Sequence, residues 1–204
     1  MSVELGDPNS VDRTGELLVA WEQNDVPRLQ AFGTTVAQIV SSPLRSFAGL
    51  GDQVGFAAPL TFLLASSVIS SLILVALRAG TTGSLAVELV SAAIMFSFAL
   101  VARIAVPVIV AGVADVVFKL FGVRRRFDAT FRAVAYSTGA TLLLADLPII
   151  GAIMAFVFMP TMLTIGFAKT VRTSWISAAA ATVISGIGVF VVLVGFFVVL
   201  FAVR

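Results

Sequence analysis

The chain contains neither cysteine nor histidine. Without cysteine there are no disulfides, thiolate nucleophiles or cysteine metal sites, and the redox compartment leaves no mark. Without histidine the commonest general base and the commonest transition-metal ligand are missing. Charge is scarce as well: 12% of the residues are charged and 59% hydrophobic, against about 25% and about 45–50% in soluble proteins. A soluble fold of 204 residues has too little interior for that much apolar surface, whereas a bilayer accommodates it. The composition therefore predicts an all-α integral membrane helical bundle.

The little chemistry that remains argues against catalysis. An intramembrane aspartyl protease needs two facing aspartates, for which Asp115 and Asp146 are the candidates. Lys119 follows Asp115 by four residues, the spacing of an ordinary helical ion pair, and Asp146 precedes Leu147-Pro148 at a helix end. No glycine-rich phosphate loop occurs, since Gly186-x-Gly188 lies within an apolar stretch. The chain reads as non-enzymatic, with no cofactor and no metal.

What charge there is lies unevenly. Residues 1–56 carry seven acids and three arginines, a net charge of −4; the remainder carries ten basic and four acidic residues, +6. An acidic head does not suit a nucleic-acid arm, and the basic edges suit membrane topology. Residues 1–27 read as a polar acidic tail, with a short helix over 14–26 carrying Leu17, Leu18 and Trp21 on one side. They lack the basic and apolar regions of a leader peptide, so the first apolar run, from Ala57, is expected to insert uncleaved.

Residues 28–56 read as an amphipathic segment. Leu29, Phe32, Val36, Ile39 and Val40 recur at helical spacing, and Phe47 follows the break at Pro43. Phe32, Val36, Ile39 and Phe47 are thus candidate interfacial anchors, their face lying either in the headgroup region or against the other helices.

The membrane domain, 57–203, divides into apolar stretches at 57–77, 84–121, 130–147, 149–168 and 174–203, with a tight turn over Gly80–Gly83. A crossing takes about 20 residues. The stretch 84–121 is about 57 Å of helix at 1.5 Å per residue, enough for one long helix or for two short spans. Loop charge chooses between them. With five crossings the basic clusters Arg124–Arg126 with Arg132, and Lys169 with Arg172, lie on one side with the head; with six they face outward. Cytoplasmic loops carry the excess Lys and Arg. Five spans are expected, with a short cytosolic N-terminal tail and an external C-terminus. The C-terminal part of 84–121, from about Pro107, is expected at the inner interface.

Within that long stretch Glu88, Arg103 and Asp115 form a candidate polar intramembrane group, since ionisable residues inside a membrane are functional suspects. Snorkelling of Arg103 to the interface is the structural alternative. Small residues at Ala178, Ala181, Thr182, Ser185 and Gly188, and at Gly151 and Ala155, permit close helix packing, within the bundle or in a homo-oligomer.

The stretches Pro43-Leu44-Arg45-Ser46-Phe47, Ala58-Pro59-Leu60, Phe127 to Ser137 with Tyr136, Leu147-Pro148 to Gly151, and Thr164 to Gly166, in this order, resemble the Yip1 family of multi-spanning membrane proteins in its shorter prokaryotic form. The resemblance implies five spans, a cytosolic N-terminus and a role in membrane organisation or vesicle trafficking, with a small GTPase as partner. The Asp-Leu-Tyr-Gly-Pro stretch of eukaryotic members has Gly55 to Pro59 in its place. Two functions follow as expectations. One is a partner-binding or membrane-organising protein, in the plasma membrane if the chain is prokaryotic. The other is a small-solute transporter or channel subunit, which a polar cavity joining Glu88, Arg103 and Asp115 would favour.

Overall fold

A computed structural model describes residues 19–202 except 24, 52, 83, 84, 146, 148 and 149. Of residues 78–82, 85–99, 144, 193, 196, 197 and 199–202 it describes the backbone alone. The tail 1–18 and most of the Asp146–Pro148 turn therefore lie outside the described residues. The described chain is all-helical: α1 (Arg28–Ser41), α2 (Pro43–Gly49), α3 (Ala57–Thr82), α4 (Leu85–Leu120), α5 (Phe127–Ala145), α6 (Ile150–Ile153), α7 (Met159–Thr170) and α8 (Trp175–Ala202). Before α1, residues Ala20–Glu22 make a single 3-10 turn.

Prolines shape the joints. Pro43 opens α2, where its missing N–H leaves no bond unmade. Pro160 cannot donate to the Phe156 carbonyl; just ahead of it Met154–Phe158 form a π turn, in which the Met159 N–H reaches Met154 O. Residues 150–170 thus form one continuous helix with a widened middle. Pro107 sits inside α4 without ending it. At the expected tight turn, α3 instead continues helically through Gly80 to Thr82.

Among the described residues, four stretches are long and apolar enough to cross a membrane: Ala57–Leu77, Leu100–Leu120, Ile150–Thr170 and Trp175–Val192. The chain is a multi-pass membrane protein. The helices alternate in direction. Ser70 of α3 donates to the Leu142 carbonyl of α5, 2.9 Å away, and Phe56 before α3 packs on Phe127 and Phe131 of α5, so these two run parallel. Phe118 and Phe167 meet edge to face, 5.2 Å apart, at the common end of α4 and α7. Thr164 of α7 bonds Thr182 of the antiparallel α8.

α5 is the centre of this arrangement. Every residue from Asp128 to Thr141 is buried, enclosed by α1, α3, α4 and α7. Its 19 residues make about 29 Å of helix, close to the hydrocarbon thickness. It is the least apolar of the expected spans because protein, not lipid, surrounds it. Its small residues allow that closeness: a Cβ on Gly139 would stand 2.7 Å from the Phe62 ring.

Two expectations change here. Phe32, Ile39 and Phe47 are buried inside the protein and Val36 is half-buried against the same core, so the anchor face of α1 and α2 packs on the bundle. Leu29, Val40 and Leu44 are the exposed apolar residues of this segment. The second half of α4 does not lie at the edge either. Val110, Ala111, Ala114, Val117 and Phe118 are core residues, because their small or flat side chains fit the groove between α5, α7 and α8.

Candidate functional site

The polar chemistry gathers where α5 begins. Asp128, Arg132 and Tyr136 are spaced four residues apart, which stacks them on one helical face. Arg132 is 1% exposed, and a buried guanidinium requires compensation. The compensation comes from the N-terminal segment. Arg132 Nη1 lies 2.8 Å from Glu22 Oε1, and the Tyr136 hydroxyl donates to the same oxygen at 2.6 Å. Arg132 Nη2 donates to the Gly55 carbonyl at 2.9 Å, while the Gly55 N–H donates to Asp128 Oδ2 at 3.2 Å. Gly55 has φ +105°, a conformation open to glycine, and so presents both backbone groups to α5. Arg126 pairs with Asp128 from the loop, 3.3 Å away. Arg132 Nε is buried without a hydrogen-bond partner.

The segment carrying Glu22 is tied down separately. The Trp21 N–H donates to Thr35 Oγ1 at 2.8 Å and the Ala20 N–H to Gln38 Oε1 at 3.2 Å, both on α1. The Trp21 indole donates to the Ala58 carbonyl at 2.9 Å. Arg28 covers its ring, 5.4 Å from the centroid, and donates to the Trp21 carbonyl. Trp21, Phe32, Phe62 and Tyr136 form a continuous aromatic wall with centroid spacings of 4.9 to 6.1 Å, within the range of favourable ring pairs. The wall excludes water, which strengthens the ion pair behind it.

Of the candidate polar group, Arg103 is half-buried and Nη1 donates to Ser67 O at 3.1 Å and Ser71 Oγ at 2.9 Å on α3. Asp115 pairs with Lys119 at 2.7 Å. Arg103 and Asp115 stand about 18 Å apart along α4, each engaged elsewhere. The Glu88 side chain lies outside the described residues. A cavity of about 250 Å³ between α4, α5 and the π turn touches Arg103, Pro107, Thr138 and Ala155 and does not reach Asp115. Arg103 and Asp115 are therefore not joined by it, and its described walls are apolar apart from Arg103, Thr138 and Thr141.

No family model, curated protein or solved structure matches this chain.

The junction itself involves residues that sequence reasoning did not single out. Glu22 read as one acid among seven in an acidic head. Arg132 read as part of a basic loop cluster, yet it is a buried α5 residue, leaving Arg124, Arg125 and Arg126 as the exposed cations of that loop. The available signal was the four-residue spacing of Asp128, Arg132 and Tyr136 on a stretch otherwise bound for the membrane interior. Chemically the junction is a carboxylate receptor: a guanidinium and a phenol converge on one oxygen.

Proposed function

We propose that the protein is a non-enzymatic, Yip1-like membrane protein that binds a partner protein, or organises the bilayer, through the end of the bundle where α5 begins. The supporting observation is convergence. Of the stretches that carry the family resemblance, those at residues 43–47, 58–60, 127–137 and 164–166 come together at this end: Ala58 packs against the core that holds Phe47 and Tyr136, and Gly166 sits against Phe47 and Ala133. Arg45, Arg124, Arg125, Arg126, Lys169 and Arg172 belong to the same end. By the positive-inside rule it is cytoplasmic, with five crossings and an external C-terminus. In a prokaryote the membrane is the plasma membrane; a trafficking role with a small GTPase follows the family resemblance.

Quantitative proteomics on the detergent-solubilised full chain tests this. A specific partner is expected whose recovery falls when Arg124, Arg125 and Arg126 are changed to Gln. Recovery of the same proteins by both forms counts against the reading. The transporter or channel alternative has one observation of its own, Arg103 held inside the bundle beside the 250 Å³ cavity. Solute flux in proteoliposomes that Arg103→Gln abolishes would favour it.

A further inference from the structure

α2 packs against α7, and the cleft between them opens beside the α7–α8 turn. Two cavities occupy it. One, of about 350 Å³, is lined by Ala48, Ala168, Lys169, Arg172 and Thr173. The other, of about 540 Å³, includes Ser42, Arg45, Ile165 and Trp175. Lys169, from the lining of the first, holds its ammonium 6.0 Å over the ring of Trp175, from the lining of the second. Arg45, serine hydroxyls and the Trp175 indole line the second cavity, with Lys169 over that indole, and no described carboxylate lines either one.

The cleft is built rather than incidental. Thr170 donates its hydroxyl to the Phe47 carbonyl at 3.0 Å, which fastens the end of α7 to α2. Arg172 is the one non-glycine residue with positive φ among the described residues, at 55°. Helices that end in this left-handed conformation usually place glycine there, and a residue with a side chain is strained in it. The chain holds a cation at a position that favours glycine. The α7 C-terminus and α8 N-terminus meet here with opposite partial charges, so the side-chain cations decide the sign of the local potential.

Position supplies the rest. Lys169 and Trp175 stand at the ends of two apolar spans, Ile150–Thr170 and Trp175–Val192, the level at which tryptophan and basic residues meet headgroups. Just beyond, Ile176 and Val183 lie on one face of α8 and are 84% and 59% exposed. A water-soluble anion would use the cations and leave that face bare; a lipid uses both.

We propose that the cleft between α2 and the α7–α8 turn binds an anionic phospholipid, its phosphate between Arg45 and Lys169, its glycerol region against Trp175, and its acyl chains along Ile176 and Val183. Basic pockets between membrane helices at the cytoplasmic face bind such headgroups. The site rests on the proposed orientation, with the α7–α8 turn at the cytoplasmic face, and stands whether the protein binds a partner or passes a solute.

Trp175 reports on the site directly. The full chain is placed in phosphatidylcholine nanodiscs containing brominated phosphatidylglycerol or, at equal mole fraction, brominated phosphatidylcholine. Trp175→Phe gives the emission of buried Trp21 for subtraction. The brominated phosphatidylglycerol is expected to quench Trp175 more strongly. The preference should fall about fivefold with either Arg45→Gln or Lys169→Gln, at about one charge's worth of surface attraction each. Lys169→Arg should keep it, and so should the double change Arg124→Gln with Arg125→Gln, outside the cleft. Inorganic phosphate at constant ionic strength should leave it unchanged. Native mass spectrometry of the unmutated protein should show a retained phosphatidylglycerol molecule. Equal quenching by both lipids overturns the proposal, as does reversal by phosphate, or equal loss when the loop arginines are changed.

Discussion

Glu22 and Arg132, 110 positions apart in the chain, meet as an ion pair 2.8 Å long with side chains 9% and 1% exposed. The pair joins a segment ahead of the membrane domain to the helix at its centre. Removing one partner of a buried pair strands the other, at a cost of about 3–5 kcal/mol. Glu22→Ala is therefore expected to lower the unfolding temperature of the detergent-solubilised protein markedly. Glu22→Ala combined with Arg132→Met should lose less than the sum of the two single changes. Additive losses in that double-mutant cycle would show that the contact carries little energy.

Topology is open to direct measurement because the chain has no cysteine. With the basic end inside, a cysteine replacing Arg125 should resist a membrane-impermeant thiol reagent on intact cells, and one replacing Leu147 should react. The opposite pattern would invert the protein, and labelling of both would break the alternation of five spans.

Two glycines should respond in opposite directions. Gly139→Ala drives a methyl to 2.7 Å from the buried Phe62 ring and should destabilise the α3–α5 contact by about 1–3 kcal/mol. Gly186 has nothing within 4 Å of its would-be Cβ, so Gly186→Ala should be neutral or stabilise α8 by up to about 1 kcal/mol through helix propensity. Equal unfolding temperatures for the two variants would contradict the packing described for α5.

The first amphipathic helix offers a similar contrast. Ile39 is fully buried and Leu29 is 83% exposed. Ile39→Ala should cost about 2–5 kcal/mol, and Leu29→Ala should stay within about 0.5 kcal/mol. If Leu29→Ala is the more damaging in thermal unfolding, the helix rests on lipid with the face that looks free.

Much of the scaffold was legible in the residues themselves. Apolar runs at 57–77, 149–168 and 174–203 became α3, the α6–α7 helix and α8 with small shifts at their ends, because a membrane helix needs an unbroken apolar stretch and little else. The long run at 84–121 became the single helix α4. What stayed hidden depends on partners distant in the chain. Periodicity marked one face of α1 as apolar without saying whether lipid or protein would cover it, and Phe32, Ile39 and Phe47 turned inward. Glu22 carries no local sign of its role, since its partners are Arg132 and Tyr136. The expected span at 130–147 is less apolar than the other runs, and enclosure of α5 by other helices is the cause.

That enclosure bears on how the protein is made. Asp128 and Arg132 stand in the first two turns of α5, and charges there weaken its insertion as a lone helix, though by less than the about 2.5–3.5 kcal/mol that each costs at a helix centre. Left alone with lipid, α5 has nothing to offset that cost. It becomes a stable passenger of the bilayer only once α3, α4 and the Glu22 segment are beside it, and α7 closes over it last. Insertion of α5 is therefore expected to be coupled to the presence of its neighbours rather than independent of them.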